Sequence, residues 1–417
     1  MSKSRAQLRI ESLVHGGEGL ARHQGRVVFV RGGAPGDVIE VEVGGEGRFE
    51  HARALRVVQP GNARVVPPCP IVDECGGCPL QHVDYGAQLA AKSALTADAL
   101  ERIGGIPAAS YQLLPIVPSP RQFEYRRRAL LHRGPADSWG FMGEAGVVPV
   151  DECLLLERPL QGLAEAMREK ELPGATDLAL DTSSSGAGAV ELRTRSAPTP
   201  ALRKRAAALV GIVQGVVVGS EVFGDPVLLD ALPPFRLRSR PDVFSQANRS
   251  MLSSLRDAAL AALGSAAEGR VLELFCGSGT LTLPLLTRAR FVVAVESSAT
   301  ALQLLRRSAD EVSGAGAKLR LAAGDAARVA GGLEGSFDAA LLDPPRTGSV
   351  DAVAALAARG VPRVVYVSCD APTLARDAKL LKERGYRLES ARPLDLFPQT
   401  AHFEVVAAFS RRDASSS

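Results

Sequence analysis

Cys369 is the residue whose surroundings most strongly suggest chemistry. The unbroken apolar run Val364–Val367 predicts a fully buried parallel strand, and Cys369 comes just after its end. Asp370 and Pro372 follow, which predicts a helix that begins there and runs toward Arg384. Backbone N–H groups and the positive end of that helix would point at the sulfur, and we expect them to favour the reactive thiolate. The alternative for a lone cysteine at a strand end is a small buried packing residue.

Four further cysteines have the spacing of a metal or cluster site. Cys69, Cys75 and Cys78 are grouped in a loop rich in glycine and proline, and Cys153 lies far along the chain. Four thiolates can hold either tetrahedral zinc or a 4Fe–4S cluster. Structural zinc sites more often use two close pairs of cysteines, so the grouping of three favours the cluster. With all its irons ligated, such a cluster would have a structural role, or one facing a polymer substrate, rather than radical chemistry.

A cofactor pocket is predicted from side chains at the ends of successive strands. The strand Val271–Phe275 leads into a glycine loop, and Glu296 ends the next strand, where an acid commonly binds ribose hydroxyls. Thr282 replaces the third glycine of the dinucleotide fingerprint, which disfavours a pyrophosphate and suits a nucleoside without phosphates. Asp325 and Asp343 follow the third and fourth strands. A Rossmann-like domain that binds a different nucleotide is the alternative.

These side chains require a sheet whose strands end at one edge. Strands are predicted at residues 271–275, 291–296, 318–322, 337–343 and 364–368, with helical patterns between most of them. This alternation predicts βαβ units and a doubly wound, mostly parallel sheet of the α/β class. The final run, His402–Ser410, is predicted to be a strand that closes the edge of the sheet antiparallel.

The N-terminal residues predict a small β-barrel of the oligonucleotide-binding kind. Four short strands separated by glycine turns are expected, at Leu8–Val14, Val27–Val30, Asp37–Val43 and Phe49–Val58. A linker rich in proline follows, and residues 177–180 and 190–194 predict a hairpin in the middle of the chain. We therefore predict a barrel at 1–59, a central α+β domain with the four cysteines at 60–239, and a Rossmann-like catalytic domain at 240–417.

Composition excludes some functional classes and leaves others open. The net charge of +3 does not by itself indicate a nucleic-acid partner, although arginines cluster at residues 126–128 and alternate at 236–240. The chain has neither an apolar signal core nor a run of about 18 apolar residues, so we expect no membrane association. A cytoplasmic location is expected, where cysteines more often serve metals or catalysis than disulfides. We also expect a monomer.

The N-terminal pattern resembles the TRAM domain, an RNA-binding module of RNA-modifying enzymes. The catalytic half resembles class I methyltransferases that bind S-adenosylmethionine. Together they resemble the RNA uracil-5 methyltransferase family, most closely the bacterial 23S rRNA members that carry a TRAM domain and an iron–sulfur cluster. Besides the four cysteines, the motifs that carry this resemblance are Phe244–Asn248, Leu274–Gly279, Asp343–Arg346, Ser368–Asp377 and His402–Glu404.

The resemblance implies a role for each candidate residue. A 4Fe–4S cluster would be held by Cys69, Cys75, Cys78 and Cys153. The S-adenosylmethionine contacts would be Gln246, Phe275, Gly277, Thr280, Glu296 and Asp343, with Asp325 near the adenine. This chain departs from the family pattern at Glu273, where Asp is usual, at Thr280, where Asn is usual, and at Asp370–Ala371, where Asn-Pro is usual.

Known reactivity explains why this chemistry needs a cysteine and a base. Uracil C5 is a poor nucleophile, and addition of a thiolate to C6 would make it an enolate carbon that can attack a methyl group. A base must then remove the C5 proton before the thiol leaves. Cys369 is the predicted nucleophile and Glu404 the predicted base, while Asp343 and Arg346 would hold the base edge or the enolate charge. The target uridine must be presented unstacked.

Several other functions stay open from the sequence. Large-subunit rRNA is favoured as substrate over tRNA, because typical bacterial tRNA members lack the barrel and the four cysteines. Cytosine-5 methylation of RNA usually needs a second cysteine after the fourth strand, where this chain has Asp343–Arg346. A non-enzymatic RNA-binding assembly factor would be expected to lack the nucleophile and the cofactor acids, and methylation of a small molecule would leave the barrel unexplained.

Overall fold

The N-terminal strands form a sheet that curves into the predicted barrel. The computed structural model describes residues 4–44 and 49–412 of the chain. Within them the barrel sheet has the order β1-β5-β6-β4-β3-β2. Its strands are β1 (Ser4–Arg9), β2 (Ser12–Leu13), β3 (Gly19–His23), β4 (Arg26–Arg31), β5 (Val38–Val43) and β6 (Phe49–Gln59). Alternate side chains such as Val28, Val30, Ile39 and Val41 are fully buried between the strands, as a half-buried strand pattern requires.

The sequence prediction of this barrel was incomplete. The segment Gly19–His23 is a strand that pairs with β4, and sequence analysis had assigned no strand there. The predicted strand Leu8–Val14 is interrupted after Arg9. At the interruption the Ile10 backbone N–H still donates to the Asp37 carbonyl beside β5, and the next N–H, of Glu11, donates to the Leu20 carbonyl in β3, so the chain changes partner at this point.

The middle of the chain contributes a second sheet in the order β10-β9-β8-β11-β12-β13-β14 and a separate two-stranded ribbon. The elements are α1 (Tyr85–Arg102), β7 (Gln112–Leu113), β8 (Arg128–Arg133), β9 (Trp139–Gly143), β10 (Gly146–Pro149), α2 (Arg158–Arg168), β11 (Ala175–Thr182), β12 (Gly188–Thr194), α3 (Pro200–Leu209), β13 (Gly215–Val218), β14 (Glu221–Gly224), β15 (Leu228–Leu232) and β16 (Phe235–Ser239). The predicted central hairpin is confirmed, because β11 and β12 pair antiparallel.

The C-terminal part is the predicted doubly wound sheet. Its elements are α4 (Leu252–Leu263), β17 (Arg270–Leu274), α5 (Thr282–Arg288), β18 (Phe291–Glu296), α6 (Ala299–Ala309), α7 (Ala315–Lys318), β19 (Leu319–Ala323), α8 (Ala326–Gly332), β20 (Ala339–Leu342), α9 (Val350–Ala358), β21 (Arg363–Ser368), α10 (Ala371–Glu383), β22 (Tyr386–Leu394) and β23 (Glu404–Arg411). The strand order is β19-β18-β17-β20-β21-β23-β22-β7, and the five strands from β17 to β21 are mutually parallel.

The last strand does not close the edge of the sheet, so that prediction was wrong. β23 lies between β21 and β22 and pairs antiparallel with both. The strand Tyr386–Leu394, which sequence analysis did not identify, lies outside it, and β7 from the middle of the chain pairs with β22. As a consequence, Glu404 at the start of β23 lies in the interior of the sheet, beside the end of β21.

Helix α1 also joins the middle of the chain to the C-terminal sheet. It packs against α10 and β22, with Ala99 and Leu100 in the same core as the apolar side chains of α10. Within the described residues, no helix combines the length and the apolar composition needed to cross a bilayer.

Candidate active site and cysteine cavity

Cys369 lies where the sequence predicted it, between the end of β21 and the start of α10. Asp370 caps the helix, because its Oδ1 accepts a hydrogen bond from the Thr373 backbone N–H at 2.9 Å. Its other carboxylate oxygen, Oδ2, is 3.3 Å from Nε2 of His15. His15 belongs to the turn between β2 and β3, so a barrel residue contacts the residue next to the candidate nucleophile.

The environment of Cys369 does not favour the thiolate in the free protein, and that prediction was wrong. Burial raises the pKa of Cys369 to about 12, and the negative charges of Glu404 and Asp343 raise it further, against the lowering effect of Arg346. A helix N-terminus contributes only about 0.3–1 kcal/mol. Desolvation and two carboxylates outweigh it, since both disfavour a second negative charge.

Glu404 shares this environment with Asp343. The Glu404 side chain is 3% exposed, and its Oε2 has no hydrogen-bond partner among the described residues. Burial raises the pKa of Glu404 well above its usual range, and the charge of Asp343 raises it further. Burial likewise raises the pKa of Asp343. Burial raises the pKa of the thiol and of both carboxyl groups, and Asp343 raises those of Cys369 and Glu404 further. Such a group of shifted pKa values is typical of a catalytic centre.

A third carboxyl group lies behind this centre. Glu273 in β17 is 2% exposed, and its Oε2 has no hydrogen-bond partner in the described part of the chain. Burial raises the pKa of Glu273 to about 8, with a contribution from the charge of Asp343. Sequence analysis had noted Glu273 only as a departure from a family pattern, because its burial depends on both neighbouring strands.

The predicted cofactor residues on the glycine loop meet the end of β18. Glu296 accepts hydrogen bonds from the backbone N–H groups of Gly277 (3.1 Å) and Ser298 (2.9 Å). Phe275 has φ +61°, so the chain leaves β17 through a left-handed residue that is not glycine. Thr280 is partly buried two residues before α5 begins.

The two remaining cofactor candidates differ in their contacts. Asp325 is exposed and caps α8 through the Arg328 N–H at 2.9 Å, one residue after Gly324, whose N–H donates to the Glu296 carbonyl. Gln246 is 5% exposed, and its backbone carbonyl accepts a hydrogen bond from Nε of Arg127 at 3.0 Å. Gln246 is thus fixed from the middle of the chain, whereas Asp325 belongs to the strand-end group.

The four cysteines that were predicted as cluster or metal ligands line one cavity. Cys69, Cys75, Cys78 and Cys153 surround it together with apolar side chains such as Phe141 and Val150. Burial raises the pKa of Cys78 to about 12, and Cys153 and Cys75 lie close enough to raise it further. Within the described residues, no three His, Cys, Asp or Glu side chains are arranged to hold a single metal ion.

Arg126 connects this cavity electrostatically with the other site. Its positive charge lowers the pKa of Cys78 and Cys153, and also that of His402, two residues before Glu404. Its Nε is buried and has no hydrogen-bond partner among the described residues. The cluster of arginines in the sequence was a signal for this residue, although it did not indicate a buried position.

Sequence analysis also missed contacts near the candidate active site. Nη2 of Arg346 lies 2.6 Å from Nδ1 of His402. Burial lowers the pKa of His402 to about 4, and the charge of Arg346 lowers it further, so the neutral imidazole accepts this hydrogen bond. The motif His402–Glu404 was the available signal for His402, but no sequence pattern indicated that His15 of the barrel reaches the same end of the sheet.

The doubly wound sheet, its strand-end acids and the barrel define the class of a nucleoside-cofactor methyltransferase with an added nucleic-acid-binding module. Residues 233–412 match the family model described as tRNA (Uracil-5-)-methyltransferase, and residues 4–44 match the TRAM domain. The 23S rRNA (uracil(1939)-C(5))-methyltransferase RlmD of Pseudomonas aeruginosa is 36% identical, over 97% of this chain and 93% of its own length. The protein of that name from Alkalilimnicola ehrlichii is 34% identical, over 97% and 96%. The chain therefore belongs to the RNA uracil-C5 methyltransferase family and is a methyltransferase.

A solved structure supports the fold. The crystal structure of the Pyrococcus abyssi tRNA (uracil-54, C5)-methyltransferase in complex with S-adenosyl-L-homocysteine superimposes with a TM-score of 0.70. The match covers 97% of this chain and 100% of that one at 23% identity. It confirms mixed sheets with an N-terminal barrel.

Proposed function

We propose that this protein methylates C5 of one uridine in 23S rRNA, with Cys369 as nucleophile and Glu404 as base. The observation that carries the proposal is the grouping of Cys369, Asp343 and Glu404 at one end of the C-terminal sheet, close enough for each carboxyl group to raise the pKa of the thiol. The names of the relatives that match along the whole chain support the choice of 23S rRNA.

The reaction begins with the thiol. Cys369 gives its proton to solvent water and its sulfur bonds to C6 of uracil, while the electron pair of the C5–C6 double bond moves toward O4. Arg346, the positive group beside the thiol, stabilises both the thiolate and the enolate that replaces it. S-adenosylmethionine, when bound, supplies the methyl group that the carbon nucleophile at C5 accepts.

The reaction ends at Glu404. Its carboxylate takes the C5 proton, the C–H electron pair re-forms the C5–C6 double bond, and the bond from C6 to Cys369 breaks to release a thiolate. Burial makes Glu404 a stronger base than an exposed carboxylate, because it disfavours the charged form. Because burial also favours the protonated form, Glu404 must lose a proton before it can act as the base.

The cofactor is held by the strand-end residues. Glu296 is fixed by the glycine loop at the point where an acid binds ribose hydroxyls, and the buried Glu273 in β17 has an oxygen without a partner among the described residues. Gln246, Phe275, Gly277, Thr280 and Asp343 complete the contacts, with Asp325 near the adenine.

The cysteine cavity holds a 4Fe–4S cluster rather than zinc. All four cysteines line one cavity, which fits a single cluster, and the grouping of three of them in one loop with the fourth remote favours the cluster over zinc. The unpartnered Nε of Arg126 fits an anionic group with sulfur acceptors. Cys69, Cys75, Cys78 and Cys153 would be its ligands.

The barrel contributes RNA contacts through the outer face of β4 and β6. These strands run parallel, and the register places Phe29 beside His51 and Arg31 beside Arg53. The Phe29 ring lies 5.1 Å from the His51 ring and 6.3 Å from the ring of Phe49, which is 62% exposed. Aromatic rings next to arginines are the components of a platform for stacked bases in single-stranded RNA.

The test is transfer of labelled methyl groups to ribosomal RNA and tRNA from a strain that lacks the gene, followed by mapping of the product. We expect 5-methyluridine at one position of 23S rRNA. Label in tRNA alone would show that tRNA, and not 23S rRNA, is the substrate. Label in cytosine would overturn the proposed chemistry.

A further inference from the structure

The segment that leads into Glu404 is a loop with unusually many buried hydrogen bonds. Residues 395–403, here called the strap, connect the end of β22 to the start of β23. The ladder between these strands ends at the pair Leu394–Glu404, so Glu404 belongs to the terminal pair. A terminal pair opens easily unless the connecting loop is held. What holds the strap therefore decides how well the Glu404 carboxylate is positioned.

Helix α1 holds the tip of the strap through Gln88. Nε2 of Gln88 donates to Oε1 of Gln399 at 3.0 Å, and the Gln399 backbone N–H donates to Oε1 of Gln88 at 3.0 Å. Gln399 has φ +68°, a left-handed conformation that costs free energy for a residue other than glycine. Both side chains are buried, so the reciprocal pair fixes a strained turn in a place that water does not reach.

One turn further along α1, Lys92 holds the beginning of the strap. Its Nζ lies 2.6 Å from Oδ1 of Asp395 and donates to the Phe397 carbonyl at 3.1 Å. Lys92 and Asp395 are 1% and 0% exposed, so each charge depends on the other for compensation. Burial lowers the pKa of Lys92, while Asp395 raises it.

The other donors to the strap also come from outside the parallel strands. The Leu80 backbone N–H, two residues after Cys78, donates to the Gln399 carbonyl at 3.0 Å. The Tyr125 hydroxyl donates to the Pro398 carbonyl at 3.0 Å. Gln88 also donates to the Leu80 carbonyl, so the cysteine loop and α1 hold the strap as one unit.

We propose that Gln88 and Lys92 are positioning residues for the proton-removal step, because they hold the strap that carries Glu404. The inference rests on the proposed role of Glu404 as base. In that step the C5 proton passes to the Glu404 carboxylate, its electron pair re-forms the C5–C6 bond, and Cys369 leaves as a thiolate. A displaced Glu404 slows only this step, so RNA that is already methylated stays bonded to Cys369.

The first test is the double variant Lys92→Met/Asp395→Leu, which replaces a buried ion pair by apolar side chains and leaves no uncompensated charge. We expect kcat to fall roughly 10- to 100-fold, as displacement of a catalytic group by about 1 Å does, with KM unchanged. A heat-stable RNA–protein adduct with a methylated base should accumulate on denaturing gels. Amide hydrogen exchange should increase in residues 395–403 while the thermal midpoint stays near that of the parent protein.

Two further variants separate this inference from the proposed function. Glu404→Gln is the positive control for the adduct, and Arg102→Met breaks an exposed pair with Asp98 on the same helix and should change nothing. If Glu404→Gln gives no adduct, the assigned base is wrong and the inference falls with it. If Glu404→Gln gives an adduct but the double variant turns over normally, or slows without an adduct, only the inference is overturned.

The single variant Gln88→Leu repeats the test at the other contact. This variant removes both hydrogen bonds to Gln399 and changes no charge. We expect the same adduct and the same increase in amide hydrogen exchange in the strap. An effect on the thermal midpoint alone, with adduct and exchange unchanged, would show that Gln88 only stabilises the fold and would overturn its assignment as a positioning residue.

Discussion

Cys369 and the cysteine cavity differ in what surrounds the sulfur and in how the chain assembles those surroundings. Cys369 lies at the end of a parallel strand, close to the carboxyl groups of Glu404 and Asp343 and to Arg346. The order of the strands brings these separate segments together. The cavity brings a tight loop, Cys69–Cys78, to the distant Cys153, and its neighbours are other thiols, apolar side chains and Arg126.

The difference suits the two roles proposed for these sites. Burial raises the pKa of Cys369 and of Cys78 alike, to about 12. At Cys369 the raised value keeps the proposed nucleophile protonated in the free protein, and a thiolate that forms there would be more nucleophilic than one of lower pKa. At the cavity, the thiols are partly buried, and burial raises the pKa of Cys75, Cys78 and Cys153. Such thiols suit the ligation proposed for them, in which a metal would replace the protons.

The largest expected effect distinguishes the proposed nucleophile from the proposed cluster ligands. Cys369→Ala should lower methyl transfer roughly 10⁴-fold or more, because the nucleophile is gone, while the cofactor still binds. Single-turnover transfer of labelled methyl groups, with cofactor binding by calorimetry as control, measures both. Normal turnover of Cys369→Ala would contradict the mechanism.

The next largest effect is expected for Glu404, the proposed base. Glu404→Gln should slow turnover roughly 10²- to 10⁴-fold because an amide cannot accept the C5 proton. The preceding steps stay intact, so a covalent RNA adduct should accumulate and run as a shifted band on denaturing gels. If the gels show only free RNA at every time point, Glu404 is not the base that removes the C5 proton.

A ligand variant should produce a different failure. Cys78→Ser is expected to lose the brown colour and most of the iron after anaerobic purification, and to lower the free energy of unfolding by several kcal/mol. Any covalent adduct with RNA should still depend on Cys369. Stoichiometric zinc in the parent protein instead of iron would sink the cluster assignment.

A smaller effect is expected on the barrel. Phe49→Ala should weaken binding of single-stranded RNA by about 1–3 kcal/mol, the contribution of one stacked base, and raise KM with little change in kcat. Val222, a similarly exposed apolar residue on the central sheet, provides the matched control Val222→Ala. Equal RNA binding by both variants would show that the aromatic face of the barrel does not contact RNA.

The last effect is on stability rather than on activity, is small per pH unit, and comes from the buried acid Glu273 near the candidate active site. The folded state keeps the Glu273 proton up to a pKa of about 8, whereas the unfolded chain releases it near the ordinary value of 4.5. Because the folded state binds more protons between these values, the free energy of unfolding should fall as pH rises through this window, by at most about 1.4 kcal/mol per pH unit. Glu273→Gln should flatten that fall in denaturant titrations, and an unchanged slope would show that Glu273 ionises normally.

Parts of the fold and the site were predictable for a simple reason. Parallel strands that are buried on both faces are continuous apolar runs, so β17, β18 and β21 were located within a residue. The antiparallel strands β3 and β22 were missed, because they are exposed on one side and carry arginines or glutamate in a weak pattern.

The sequence by itself determined which groups stand at the ends of the strands, because the carboxyl ends of parallel strands always meet at one edge of the sheet. It also determined the helix that follows Cys369, since Asp370 and Pro372 specify its first turn. Only the tertiary structure decided the protonation of Cys369, which depends on Glu404 and Asp343. It also decided the position of the last strand and the attachment of its strap to α1, since these rest on contacts between residues about 300 positions apart, such as Lys92 and Asp395.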